Sequence, residues 1–430
     1  MSFSALGLSP HLVRAVTERN YLTPTPIQVA AIPVVLRGGD VWGSAQTGSG
    51  KTAAFALPIL QQWLEAGSTS GPTAPRRTRA LILVPTRELA AQVGESFRRY
   101  ARYLPEPVRV ATAFGGVSIN PQMISLRGGA DIVVATPGRL LDLVEHNALR
   151  LDNVATLVLD EADRLLDLGF ADELSRILAL LPARRQNLLF SATFPPGVQS
   201  LAENLLHHPT RIEVAATPAT VPSIQQRAIE VDAPRRTQLL RHLIQTERWS
   251  RVLVFVATKY ATEHVAEKLR KAGLRAEAFH GELSQGARTN VLADFKATRV
   301  HVLLATDVAA RGLDITGLPA VVNFDLPRST VDYVHRIGRT ARAGETGVAV
   351  SFITAEAHAH FLLIEKRHQL ELPREQIAGF EPVHVEVPRP PGTGGIKGRR
   401  KSKKDKLREA AARAQGAGAM ILKLQTNATD

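Results

Sequence analysis

The chain of 430 residues contains no cysteine. Disulfides and cysteine-ligated zinc are therefore excluded, and a reducing compartment is compatible with that absence. Residues 1–20 lack a basic start followed by an apolar core, so no signal peptide is expected. No uninterrupted apolar run approaches the roughly 20 residues needed to span a bilayer. Together these absences place the expected protein in the cytoplasm, with no membrane partner. Negative charge is also in short supply. Forty Asp and Glu face 53 Lys and Arg, a formal charge of +13, and the pI is near 10.3. Such an excess favours a polyanionic partner, nucleic acid before membrane, although a basic C-terminal tail carries part of it. The remainder of the composition is that of a globular protein with room for two or three domains.

From Val34 to about Ile212, strand-like apolar runs alternate with helical ones. Val41–Gly43, Ala80–Val84, Asp131–Ala135, Ala155–Leu159 and Leu188–Phe190 read as buried strands. Strands alternating with helices indicate an α/β domain with a doubly wound parallel sheet, whose ligand site collects at the strands' C-terminal ends. Val214–Ser223 is rich in Ala, Thr and Pro without apolar periodicity and reads as a linker. The rhythm then restarts with Val252–Val256, His301–Ala305, Ala320–Asn323 and Val348–Ile353. Expected boundaries are a first domain over 1–213, a linker over 214–224, a second domain over 225–387 and a basic tail over 388–430. Pro388–Gly398 is Pro/Gly-rich and Lys397–Lys406 is dense in Lys and Arg, a pattern expected to be disordered in isolation.

One stretch of the first half carries the strongest chemical signal. Ala45-Gln46-Thr47-Gly48-Ser49-Gly50-Lys51-Thr52 reads as a phosphate loop, with Ala45 where the general motif has glycine. Glycines let backbone amides close on phosphate oxygens, and the following helix adds its dipole. Lys51 is expected to reach the β/γ-phosphates of ATP, and Thr52 to ligate Mg2+. About a hundred residues later the apolar run to Leu159 ends in Asp160-Glu161-Ala162-Asp163. Alone, a carboxylate pair after a strand is as readily a solvated turn as a site. With Lys51 upstream, Asp160 fits the Mg2+ side and Glu161 the orientation or deprotonation of water.

Two further segments have open readings. Tyr21-Leu22-Thr23-Pro24-Thr25-Pro26-Ile27-Gln28 is either a rigid connector or a base-recognition loop. In the latter, an aromatic ring stacks and an amide pairs with an adenine edge. His335-Arg336-Ile337-Gly338-Arg339-Thr340-Ala341-Arg342 is either a solvated basic face or a source of arginine fingers. Read as two turns of helix, it puts Arg339 and Arg342 on one face, able to neutralise charge at the γ-phosphate from across a cleft.

The order of these segments resembles the DEAD-box ATP-dependent RNA helicases, of bacterial type, over about Phe3–Ile377. Asp160–Asp163 spells the family name. The resemblance implies two tandem RecA-like domains that close over ATP and RNA. It implies an adenine-sensing group of Phe3, Tyr21, Pro24, Thr25 and Gln28, with Asn20 standing where the family usually has glycine. It places RNA-backbone contacts at Pro85, Thr86, Arg87, Gly115, Gly116, Thr136, Pro137 and Arg139. In the second domain, Phe255 falls in the first matching motif, and Gln285 and Arg288, both expected RNA contacts, in the next. Thr306 is expected to touch RNA and Asp314 the ribose. Ser191, Thr193, Arg311 and Arg336 are expected to couple hydrolysis to strand separation, with His335, Arg339 and Arg342 beside the phosphates. The expected activity is an RNA-dependent ATPase that unwinds short duplexes or remodels ribonucleoprotein. An ATP-locked RNA clamp is the alternative, and a DNA helicase the third reading. Ribosomal or RNA-decay proteins are candidate partners.

Overall fold

The computed structural model describes residues 2–45, 49–67, 76–214, 223–310, 313, 315, 317–341 and 346–383. Gln46, Thr47, Gly48, Arg311, Asp314 and Arg342 lie outside the described residues, as do most of the expected linker and the whole basic tail.

Two seven-stranded sheets, all of their pairs parallel, form two lobes within one compact unit that ends at Val383. The first sheet comprises β1 (Val41–Ser44), β2 (Ala80–Leu83), β3 (Val110–Ala113), β4 (Ile132–Ala135), β5 (Thr156–Leu159), β6 (Gln186–Ser191) and β7 (Thr210–Glu213). The second comprises β8 (Ser223–Glu230), β9 (Val252–Phe255), β10 (Ala276–Phe279), β11 (Val302–Ala305), β12 (Ala320–Asn323), β13 (Thr346–Ile353) and β14 (Arg374–Glu375). Their orders are β3-β4-β2-β5-β6-β1-β7 and β10-β11-β9-β12-β13-β8-β14, the same permutation twice.

The central strands β2, β4, β5, β9 and β11 are almost wholly apolar because both faces of each sheet are covered. Ile82, Val134, Val158 and Leu188 point into one core with the N-terminal helices. Their neighbours Leu81, Leu83, Val133, Leu157, Leu159 and Leu189 point into a second core on the opposite face. The second lobe repeats this: Val252, Val254, Val302 and Val322 face one core, Leu253, Phe255, Leu303 and Val321 another.

The expected strands are all present. Several were not legible as apolar runs. β10 is interrupted by Glu277, and β7 and β14 are edge strands with few apolar residues, so neighbouring strands rather than local pattern define them. β8 begins at Ser223, at the edge of the stretch read as linker. Among the described residues no helix is long and apolar enough to cross a membrane.

Candidate active site

Helix Lys51–Ala66 starts where β1 ends, with Gly50 at φ 94° as its N-cap. Lys51 is buried, and its Nζ donates to the Ala45 carbonyl at 2.9 Å across the loop. The buried Ser49 hydroxyl has no hydrogen-bond partner among the described residues. The loop therefore holds an ammonium and an unsatisfied hydroxyl close to the strand end, which suits a phosphate group. Thr52, half-buried, follows on the first turn.

Gln28 ties the N-terminal segment to this loop. Its Oε1 accepts the Thr25 N–H at 2.9 Å, and its Nε2 donates to the Gly50 carbonyl at 3.1 Å. A carboxamide has two lone pairs and two N–H bonds, so half of its capacity remains for a base edge. Asn20 adopts φ 58°, the left-handed region glycine favours and asparagine tolerates best among other residues. Tyr21 is 41% exposed beneath the Arg19 guanidinium, whereas Phe3 is packed in the first core. The ring of Phe3 supports the segment from below and has no open face.

Asp160 follows β5 and is 3% exposed, its carboxylate accepting the Glu161 N–H at 3.0 Å. Burial pushes its carboxyl up to about 6; the Lys51 charge opposes this, and the Glu161 charge adds to it. Glu161 has φ 51° and ψ 52°, a left-handed backbone that is strained for a side-chain-bearing residue. Strain of about 1–3 kcal/mol of this kind persists only where surrounding structure enforces it. Here the enforcement comes from both flanks, Asp160 on the strand end and the helix Ala162–Asp167.

Asp163 points to the neighbouring strand. Its carboxylate accepts both the backbone N–H and the hydroxyl of Thr193, at 3.2 and 2.8 Å. Ser191 accepts the Asp163 N–H at 3.2 Å and donates to the Thr193 carbonyl at 2.7 Å. The ends of β5 and β6 are thus joined by three hydrogen bonds, with a fourth bracing the β6 end itself. Displacement of one is transmitted to the other.

The second lobe faces these groups with arginines. Arg336 is almost fully buried and satisfied: it donates to both carboxylate oxygens of Asp307 at 2.6 Å, to Asn323 at 3.0 Å and to the Asp325 carbonyl at 2.6 Å. Its position secures the lobe's own strand ends. The helical reading of the segment to Arg342 is corrected here. The helix is Thr330–Ile337, and it stops because Thr340 leaves it to bridge to Leu318, its hydroxyl donating to the Leu318 carbonyl at 2.5 Å. Arg339 lies in the turn after the helix, and its Nη1 donates to the Leu313 carbonyl at 2.6 Å. Burial pulls the His335 imidazole down to about 4, with the Arg164 charge acting in the same direction.

The lobes touch through two buried ion pairs absent from the sequence reading. Arg164 donates to Asp332 at 2.5 Å. Burial lowers the affinity of the Arg164 guanidinium for its proton, and the Asp332 charge and hydrogen bond more than offset that. Arg288 meets Glu88 at 2.6 Å, with Arg87 at 3.1 Å from the same carboxylate. Burial lowers the Arg288 pKa, the Glu88 charge opposing it. The partners lie 168 and 200 positions apart, and no local pattern announces either pair.

Among the described residues, cavities of different size lie between the lobes. The smaller, about 30 Å³, is bounded by Glu161, Asp163, Arg164 and Ala192 on one side. On the other side lie Asp307, Asp332, His335, Arg336 and Arg339. It has room for one or two waters. The larger, about 490 Å³, is lined by Pro85, Arg87, Gly115, Gly116 and Thr136 of the first lobe and by Gly281–Ser284 of the second. Five residues expected to contact RNA therefore converge on one cleft, joined by Phe170 and Glu282, which the sequence reading passed over. Gly116 is fitted to Arg87: at φ 79°, a Cβ there would lie 2.6 Å from Arg87 Nη1. Thr86 caps the helix that starts at Arg87, accepting the Leu89 N–H at 3.3 Å. Pro137 opens the next helix, and Arg139 is turned inward onto the Val117 carbonyl at 2.7 Å. Gln285 keeps a buried Oε1 without a partner, and Thr306 accepts from the Ala309 N–H at 3.4 Å.

Comparison with known proteins agrees with this layout. A DEAD/DEAH box helicase model matches residues 25–201, and a helicase conserved C-terminal domain model matches residues 235–344. A DEAD-box ATP-dependent RNA helicase CshA from Geobacillus kaustophilus is 41% identical over 373 residues, 87% of this chain and 78% of that protein. An ATP-dependent RNA helicase DeaD from Mycobacterium tuberculosis is 42% identical over 385 residues, 90% of this chain and 66% of that protein. Among solved structures, S. cerevisiae Dbp5 bound to RNA and ADP BeF3 matches with a TM-score of 0.76 and 31% identity, over 87% of this chain and 95% of that one. A DEAD box protein from the hyperthermophile Methanococcus jannaschii is 36% identical with a TM-score of 0.51, over 87% and 99%. With one family model on each sheet and curated relatives at this identity across most of its length, the chain belongs to the DEAD-box ATP-dependent RNA helicases, a family of ATP-hydrolysing enzymes.

Proposed function

We propose that this protein hydrolyses ATP when RNA draws its two lobes together, and that closure separates short RNA duplexes or remodels ribonucleoprotein. The observation that carries this reading is the small cavity in which Glu161 of one lobe meets His335, Arg336 and Arg339 of the other. The first lobe supplies a carboxylate to handle a water and one cation, Lys51, for the phosphates; the arginines that would face the γ-phosphate from the other side belong to the second lobe. The higher similarity to the RNA- and ADP BeF3-bound structure than to the M. jannaschii protein, despite lower sequence identity, supports an arrangement of the closed kind.

In this reading Ser49, Gly50 and Lys51 hold the phosphates, together with Gln46, Thr47 and Gly48. Gln28 offers its remaining N–H and lone pair to the adenine edge, with Thr25 and Tyr21 beside it, and Asp314 serves the ribose. Thr52 and Asp160 hold Mg2+, which when bound supplies charge neutralisation at the β- and γ-phosphates. Asp160 is ionised for that role although burial alone favours its neutral form. Glu161 takes a proton from the attacking water, whose oxygen bonds the γ-phosphorus as the bond to ADP breaks. Arg339 and Arg342 stabilise the charge on the transferred group, and His335, neutral, orients without adding charge.

Arg87, Gly116, Thr136, Arg139, Gln285 and Thr306 grip the RNA sugar-phosphate backbone, which carries little sequence information. A strand bent to fit this cleft cannot remain in an A-form duplex. Ser191, Thr193, Arg311 and Arg336 pass closure between the sites, Asp163 being the physical joint. The working boundaries are domains at 1–213 and 225–387, with residues 388–430 adding salt-dependent RNA affinity. Cytoplasmic location and contacts with ribosomal or decay-machinery proteins complete the proposal.

The test is phosphate release from ATP with and without RNA. Stimulation by RNA in the wild type and its loss in Glu161→Gln are expected; no stimulation, with an unchanged basal rate in Glu161→Gln, would sink the reading. The buried Arg164–Asp332 and Arg288–Glu88 pairs favour the clamp as a second reading, since they hold the lobes together through protein contacts alone. Duplex release under multiple turnovers separates the two: a clamp binds in ATP and releases no strand.

A further inference from the structure

We infer that the outer face of helix Lys259–Lys271 is a track for the single-stranded flank of a bound RNA, with Tyr260 as its stacking platform. This rests on the proposed RNA cleft and extends it beyond the backbone contacts assigned there.

The duplicated topology gives the location. β2 and β9 occupy the same place in the two sheets. Each is followed by a threonine that caps the next helix: Thr86 accepts the Leu89 N–H at 3.3 Å, and Thr258 accepts the Ala261 N–H at 3.1 Å. Lys259 and Tyr260 therefore stand in the second lobe where Arg87 and Glu88 stand in the first. Arg87 lines the large cleft, and Lys259 forms an ion pair with Glu282, which lines the same cleft from the opposite lobe. Tyr260 is thus one residue from the cleft's edge.

Its exposure exceeds even that of Tyr21, which is 41% exposed. Tyr100 and Tyr333 are 3% and 1% exposed, whereas Tyr260 is 76% exposed. Its ring lies nearly parallel to the His264 imidazole, 6.0 Å between centroids and 8° between planes, so it is held flat with one face outward. Exposed Lys268 continues the row one turn further, and residues 260, 264 and 268 span about 12 Å along one helix face. Each acidic residue of this helix has a partner of its own. Glu263 is bound to His280 at 2.8 Å, and Glu267 to Lys271 at 2.6 Å. An exposed ring followed by the Lys268 ammonium suits a nucleotide strand, base on the ring and phosphate on the lysine.

The experiment compares wild type, Tyr260→Ala and Tyr260→Phe for binding to a nested length series of oligouridylates, with a non-hydrolysable ATP analogue present. The shortest RNA that stimulates hydrolysis is expected to bind all three alike. As the RNA lengthens, Tyr260→Ala should fall behind by about tenfold while Tyr260→Phe keeps the wild-type gain. Tyr260→Trp should show fluorescence quenching with the longer RNAs only. Equal affinities of wild type and Tyr260→Ala at every length, or an equal loss at every length, overturn the track and leave the proposed function standing. A wild-type protein that binds none of the series overturns the proposed function itself.

Discussion

The two lobes share one strand order and differ in what sits at equivalent strand ends. β1 runs into the phosphate loop, whereas its counterpart β8 runs into a short turn and helix Arg236–Thr246 without one. β5 ends in Asp160-Glu161; its counterpart β12 ends in Asn323, which accepts from Arg336. The lobe with carboxylates and a phosphate cradle therefore faces a lobe that presents arginines from the same topological edge. A duplicated sheet has been divided into a binding half and a charge-neutralising half. Under the proposed function hydrolysis belongs to the junction, and the junction has its own adhesive, the buried Arg164–Asp332 and Arg288–Glu88 pairs.

The sharpest way to break this division is to disable one half and ask what the other retains. Arg339→Ala, in the lobe without a phosphate loop, should reduce RNA-stimulated turnover by about three decades or more with ATP affinity nearly unchanged. Steady-state phosphate release alongside nucleotide binding measures both. Glu161→Gln should reduce turnover by about 10²–10⁴ while keeping RNA affinity in the presence of ATP, since the group it loses acts on water and not on closure. If Arg339→Ala weakened ATP binding as much as turnover, the halves would not be separable in this way.

The adhesive comes next. Removing one partner of a buried ion pair leaves the other uncompensated, at about 3–5 kcal/mol. Arg164→Ala and Asp332→Ala should each weaken RNA binding in the presence of a non-hydrolysable ATP analogue, and the double variant should lose less than the sum of the two. Additive losses in that cycle would show that the contact does not couple the lobes.

Gly50→Ala tests the link between Gln28 and the loop. An added Cβ would lie 2.4 Å from Gln28 Nε2 on a backbone at φ 94°, whereas at Gly169, φ 86°, nothing lies within 4 Å. Both substitutions carry the left-handed penalty of about 1–2 kcal/mol. Only Gly50→Ala should also reduce discrimination between ATP and GTP, measured by competition binding.

In the wild type the smallest effect is a pH dependence, because its two halves contribute with opposite signs. Folded His335 stays neutral down to about 4, while the unfolded chain takes that proton near 6.5. As pH falls from 6.5 to 4 the unfolded state binds more protons, so this histidine removes stability. Folded Asp160 keeps its proton up to about 6, while the unfolded chain loses it near 3.8, so stability associated with Asp160 rises as pH falls through that window. Each contribution is at most about 3 kcal/mol, and they largely cancel in the wild type. Relative to wild type, His335→Gln should therefore gain stability, and Asp160→Asn lose it, as pH falls from 6 to 4. Denaturant midpoints of the ligand-free protein check this, and shifts of the same sign would refute it.

Much of this was legible in the chain itself. Continuous apolar runs ending in polar or glycine-bearing segments announce parallel strands covered on both faces, and they locate the site at the strand ends. The phosphate loop and the Asp160-Glu161 pair are contiguous, so their chemistry can be read from neighbours. Three features escape that reading. Phe3 resembles part of an adenine-sensing group, and its burial in the first core could not be read from its neighbours in the chain. The helix through His335 was carried past Gly338, a local stop signal, to Arg342, and the contact of Thr340 with Leu318 beyond it is long-range. The edge strands β7 and β14 bury too few side chains to leave a pattern.

What the sequence by itself determined is the set of groups and their local geometry: a glycine-bearing loop before a helix, a carboxylate pair after a strand, threonines that cap. These depend on residues within a turn or two of one another. What only the tertiary structure decided is which groups share a space. Glu161 and His335 stand 174 positions apart in the chain, yet they line one cavity of about 30 Å³. The Arg164–Asp332 and Glu88–Arg288 contacts likewise depend on how two separately folded sheets pack. Burial, and the charge a buried group will carry, are properties of that packing.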